Sequence, residues 1–141
     1  MKRIIKFRAW DKQNNCWYAP VHEAYNGNLF ELLVGFGGDL SAHMMQGLVH
    51  ESLWPDRFDL MQFTGLTDKN GKEIYEGDII MRHIHLKSGD GIRVISEVEF
   101  NLLTAMFTTK PSDGDYSDNV LSDNQWEIIG NVFESPELLN S

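Results

Sequence analysis

The sequence predicts a mainly β protein whose strands curl into a small barrel, and three observations carry that reading. Apolar residues recur at every second position far more often than at every third or fourth, the spacing of half-buried strands. Clusters of Gly, Asp and Asn cut these alternating runs at short intervals, as tight turns require. The chain has 141 residues, of which 42% are hydrophobic, enough to bury a core of its own and too many for a disordered or collagen-like chain. Short strands in a flat sheet would leave edges and one apolar face in water, so closure into a barrel is the expected solution.

Each element has a local cause. Ile5, Phe7 and Ala9 alternate with Lys6 and Arg8 up to Trp10, residues 11–15 turn the chain, and residues 16–19 return as the second arm of a hairpin. Residues 29–34 read as a strand stopped by Gly35, Gly37 and Gly38. Residues 39–51 show weak helical spacing broken by Gly47 and are expected as a loop with one helical turn. Trp54-Pro55-Asp56 ends any helix, because the residue before a proline is pushed toward extended geometry. Residues 58–64 form a strand, and Asp68-Lys69-Asn70-Gly71 a turn in which Gly71 supplies a positive φ. Residues 73–75 resume the strand before a break at residues 76–78.

Further strands are expected over residues 79–86, 92–100, 102–109 and 126–134. Residues 110–125, rich in Ser, Asp, Gly and Asn, read as a long exposed loop. Ser135-Pro136-Glu137 combines a hydroxyl cap, a proline at the first helical position and an acid in the first turn, so residues 135–139 make one closing helical turn. Ile79, Val94, Val98, Phe107, Trp126 and Ile128 are the expected core. Residues 1–56 read as an N-terminal hairpin and irregular region and residues 57–141 as the barrel, with a single integrated domain as the alternative. SH3-like and OB-like barrels both suit this strand count; the step Gly77-Asp78-Ile79-Ile80 is similar to the start of a central strand in SH3-like barrels.

Charge bounds the function. The formal net charge is -9, concentrated in the second half, and after Lys110 there is no Lys or Arg. Affinity for nucleic acid or anionic lipid has to overcome that repulsion. Cys16 is the single cysteine and cannot form an intrachain disulfide, and no apolar run is long enough for a signal peptide or membrane span, so a cytoplasmic protein is expected.

His83 and His85 lie two apart on a strand and share a face, a spacing that metal sites use, but no third ligand is near in sequence. His22, His43 and His50 fall in the irregular region, and a pair of surface histidines is the simpler reading; no metal or other cofactor is expected. Gly35-Phe36-Gly37-Gly38 lacks the Lys and Ser or Thr of a phosphate loop. Asp113, Asp115 and Asp118 with Gly114 lack the spacing and closing Glu of a calcium loop. Cys16 has no basic neighbour to favour its thiolate. Asp68, Asn70, Tyr75, Glu76 and Asp78 supply carboxylates without a partner geometry for acid-base work, and turn chemistry accounts for them. Trp10, Trp17, Trp54 and Trp126, with Tyr18, Tyr25 and Tyr75, read as packing rather than as platforms for bases. No catalytic constellation emerges, and a non-enzymatic protein is expected.

Three blocks carry a resemblance. IKFRAWD at residues 5–11, LMQFTGLTDKNGKEIYEGDII at residues 60–80 and WEIIGNVFESPELL at residues 126–139 resemble, in this order, the YopX family of phage and prophage proteins. Within them Gly65, Asp68, Asn70, Gly71, Tyr75, Gly77 and Asp78 are the motif positions. The resemblance implies an SH3-type barrel encoded by a phage, prophage or related mobile element, and no known activity. The expected function is protein binding or self-association. The alternative is contact with nucleic acid through the basic stripe of Lys2, Lys6 and Arg8 beside Trp10.

Overall fold

The expected β class is realised: the protein is mainly β, and the only helical pieces among the described residues are two 3-10 turns. A computed structural model describes residues 4–18, 29–44, 47–53, 55–112, 121 and 125–140. The chain divides into two compact units, residues 8–60 and residues 1–7 with 61–141.

In the unit of residues 8–60, β1 (Phe7–Asp11) pairs with β2 (Cys16–Trp17), setting Trp10 opposite Trp17 and Asp11 opposite Cys16. Asp11, fully buried, caps the turn between them: its Oδ1 accepts from the Gln13 and Asn14 backbone N–H groups at 3.0 and 3.3 Å. A second, antiparallel sheet has the order β3 (Leu29–Val34), β4 (Leu40–Met44), β5 (Gly47–His50), followed by a 3-10 turn at Glu51–Leu53. This corrects the expectation of a loop with one helical turn over residues 39–51. Leu40 and Ala42 are buried while His43 is exposed, so the period is two, but Ser41 and Ala42 are too small to make that alternation stand out in the sequence. Ala42 packs with Tyr18, Leu32, Val49 and Phe58, and the Leu32 N–H donates to the Tyr18 hydroxyl oxygen at 2.8 Å.

In the other unit, the part of β6 (Phe58–Thr67) from Met61 onward pairs with β7 (Glu73–Tyr75), Phe63 opposite Tyr75. Then β8 (Asp78–His85), β9 (Gly91–Asn101), β10 (Met106–Pro111) and β11 (Glu127–Asn131) form an antiparallel sheet of order β10-β9-β8-β11. Its core is Ile74, Ile80, Val94, Val98 and Trp126, with Leu66, Ile84, Ile92, Leu121 and Ile128 packed against it. Ile79 is also fully buried, whereas Phe107 is half-buried and stacks edge-on against Phe100.

Two expected strands are shorter than their apolar content implies. Residues 102–105 are a turn rather than the start of a strand, because the Asn101 side-chain oxygen accepts from the Leu103 and Thr104 N–H groups at 2.9 and 3.3 Å and Ala105 takes a positive φ of 53°. Asn131 ends β11 in the same way, accepting from Phe133 and Glu134 at 3.1 and 2.9 Å, and a 3-10 turn at Pro136–Asn140 follows. Among the described residues no helix is long and apolar enough to cross a membrane.

Candidate functional site

The motif block is a system of stitched turns. Asp68 is fully buried at the end of β6, and its two oxygens accept three backbone hydrogen bonds: Asn70 and Lys72 at 2.9 Å and Ile128 at 3.1 Å. Burial alone pushes this carboxyl up, but those donors outweigh it and hold its pKa below the usual carboxylate range. The Lys69 N–H donates to the Trp126 carbonyl at 2.8 Å, and Lys69 Nζ lies 3.1 Å from Glu127. The turn of the middle block is thereby tied to the closing block. Gly71 turns the chain with a φ of 81°, and Gly65 and Gly77 also have positive φ.

The remaining carboxylates of the block are likewise committed. Asp78 Oδ2 accepts from the Tyr75 N–H at 2.8 Å and Glu76 from the Gln62 N–H at 2.9 Å, while the Gly77 N–H donates to the Val98 carbonyl at 2.8 Å. Tyr75 donates its hydroxyl to Glu73 at 3.1 Å. Hydrogen-bonding of this kind fixes the backbone of the turns.

The basic stripe is also engaged. Lys6 Nζ lies 2.6 Å from Glu73; their hydrogen bond raises the lysine pKa and lowers that of the glutamate. The Arg8 guanidinium stacks over Trp17 at 4.4 Å, and Trp10 is buried edge-on to that same ring. Arg57 forks onto Asp11 at 3.3 and 3.1 Å. Nothing in the sequence marks this last pair, since the partners stand 46 residues apart.

His83 and His85 are exposed on β8 opposite Arg93 and Gly91. Among the described residues no group of three or more His, Cys, Asp or Glu side chains could hold a metal ion. Cys16 is half-buried. Gly35 to Gly38 is a tight turn, the Gly38 N–H donating to the Gly35 carbonyl at 2.9 Å. His22, Tyr25, Trp54, Asp113, Gly114, Asp115, Asp118 and Lys2 lie outside the described residues.

What stands out instead is the tip of the β9–β10 hairpin. Leu102 and Leu103 are 87% and 97% exposed, with Phe100 and Met106 also exposed beside them. The asparagine-capped turn that interrupts the expected strand aims these side chains at solvent. Residues 100–109 contain no charged side chain in a chain that is 23% charged. Periodicity concealed this surface, because apolar residues in a turn count toward a strand.

The architecture recurs in a solved structure. The crystal structure of protein EF1440 from Enterococcus faecalis is similar to this chain with a TM-score of 0.58 and 28% sequence identity, over 98% of this chain and 99% of that one. No curated protein matches the sequence. The YopX protein family matches residues 6–140, which takes in the three blocks, Ile5 apart, and the chain between them. The chain belongs to the YopX family.

Proposed function

We propose that this chain is a cytoplasmic accessory protein of a phage, prophage or related element, an SH3-type barrel that works by binding protein, a partner or a second copy, through the β9–β10 hairpin tip. The observation that supports this reading is the exposure of Leu102 and Leu103 within an uncharged stretch. Burying a leucine fully is worth roughly 1.5–3 kcal/mol, so a solvent-facing pair at a hairpin tip recovers that energy on docking. The motif block, with its carboxylates spent on turns, serves as the scaffold that holds the hairpin.

Light scattering over a concentration series, and titration against candidate partner proteins, test it with the double variant Leu102→Asp/Leu103→Asp. Because both side chains already face water, the variant is expected to melt like wild type while losing association. Association that survives the double substitution refutes the hairpin tip as the binding surface.

A further inference from the structure

The unit of residues 8–60 contains a cleft of about 360 Å³ lined by Leu40, His50, Ser52, Pro55, Arg57 and Phe58 among others. At this cleft His50 bridges two groups. Its Nε2 lies 3.2 Å from Asp39 Oδ2, and its Nδ1 lies 3.0 Å from Ser52 Oγ. The Ser52 backbone N–H also donates to Nδ1, at 3.2 Å. A ring nitrogen that accepts from an N–H must offer its lone pair, so the neutral imidazole carries its proton on Nε2, where Asp39 accepts it. That is the tautomer a general base needs in order to take a proton from Ser52 Oγ through Nδ1.

The local fold explains how these residues meet. The β4–β5 pairing sets Ser41 opposite His50, which brings the preceding Asp39 to the imidazole, and the 3-10 turn at Glu51–Leu53 folds Ser52 back over the ring. Gly35 completes the arrangement. Its N–H donates to the Asp39 carbonyl at 2.8 Å, and a β-carbon at this position would overlap Asp39 Oδ1, so a residue without a side chain leaves the carboxylate its place. Arg57, the nearest cation in the cleft lining, is committed to Asp11 at 3.1 Å and does not draw Asp39 from the imidazole.

We propose that Ser52 is an activated nucleophile, with His50 as its general base and Asp39 as a positioning residue, that takes acyl groups from small esters with a short apolar acyl chain. Leu40, Pro55 and Phe58 provide apolar wall for that chain. In the step, Ser52 Oγ attacks the ester carbonyl carbon and its proton passes to His50 Nδ1. The bond from that carbon to the alcohol oxygen breaks, and the alcohol leaves with the proton from Nδ1. Water, deprotonated by the same nitrogen, then attacks the acyl carbon; the bond from that carbon to Ser52 Oγ breaks, the proton on Nδ1 returns to Oγ, and the carboxylic acid leaves. The Ser52 N–H has to yield Nδ1 as the proton arrives, so acylation is slow. The proposal stands independently of the hairpin tip.

The test treats the full chain with a fluorophosphonate probe and, separately, with p-nitrophenyl acetate. The expected result is a single adduct on Ser52, located by peptide mass spectrometry and absent from Ser52→Ala. His50→Gln should slow labelling roughly a hundredfold, the size of a lost general base. Asp39→Asn should slow it less, lowering kcat for p-nitrophenyl acetate while leaving KM unchanged, as expected of a residue that orients the imidazole without touching the substrate. Gly35→Ala, which displaces the carboxylate while keeping all three side chains, should reproduce the Asp39→Asn loss of kcat. Melting curves matching wild type establish that each variant is folded. No adduct on Ser52 in the wild type, labelling unchanged by His50→Gln, or a kcat unchanged by Asp39→Asn would each overturn the proposal.

Discussion

Asp68 shows how much one buried carboxylate can organise. Its three backbone donors come from its own turn and from β11, 60 residues further along the chain. Since its folded pKa is depressed, folding favours the ionised form. The stability this contributes is complete above the unfolded value of about 3.9 and is lost as pH falls through the depressed folded value. Acid titration by circular dichroism should therefore show wild type losing stability below about pH 4, with Asp68→Asn less stable at neutral pH and flatter in that window. An unchanged slope in the variant would show that other carboxylates set the acid limit. Gly71 gives the second residue-scale prediction. At a φ of 81° a valine is strained whatever the space around it, and Gly71→Val should cost about 1–3 kcal/mol in denaturant unfolding. Both positions were legible in the sequence, because a turn's demands on Asp and Gly are local.

At the scale of the element, β9 holds its sheet together by pairing with β8 on one side and β10 on the other. Val94 and Val98 face the core from it, and Val98 is 1% exposed. Val98→Asp places a charge without a partner in that core, and loss of the cooperative thermal transition is expected. A melt near the wild-type temperature would mean that β9 does not form the centre of this sheet. The strand itself could be read from its alternation, but its end could not. Leu102 and Leu103 are apolar enough to extend a strand, and only the hydrogen bonds to Asn101 show that they turn instead. In β4 the error ran the other way: Ser41 and Ala42 look undecided in isolation, and pairing with β3 and β5 makes the segment a strand.

For the whole molecule the question is what the charge distribution permits. With a net charge of -9, Lys6 held by Glu73 and Arg8 stacked on Trp17, the basic stripe is expected to offer little to a phosphate backbone. Gel-shift measurements at low salt should detect no binding of wild type to a random duplex or single strand. Salt-sensitive binding removed by Lys6→Glu with Arg8→Glu would replace the protein-binding reading with a nucleic-acid one. By itself the sequence determined the β class, most strands of the second half, the turn chemistry of the motif block and the family. Those properties follow from period-two spacing and from the preferences of Gly, Asp and Asn over a few residues. Tertiary structure alone decided which distant groups meet: Asp68 with the Ile128 amide, and Asp11 with Arg57. The reason is physical, since such meetings depend on strand register and on loops closing over tens of residues, and neither leaves a local trace in composition or spacing.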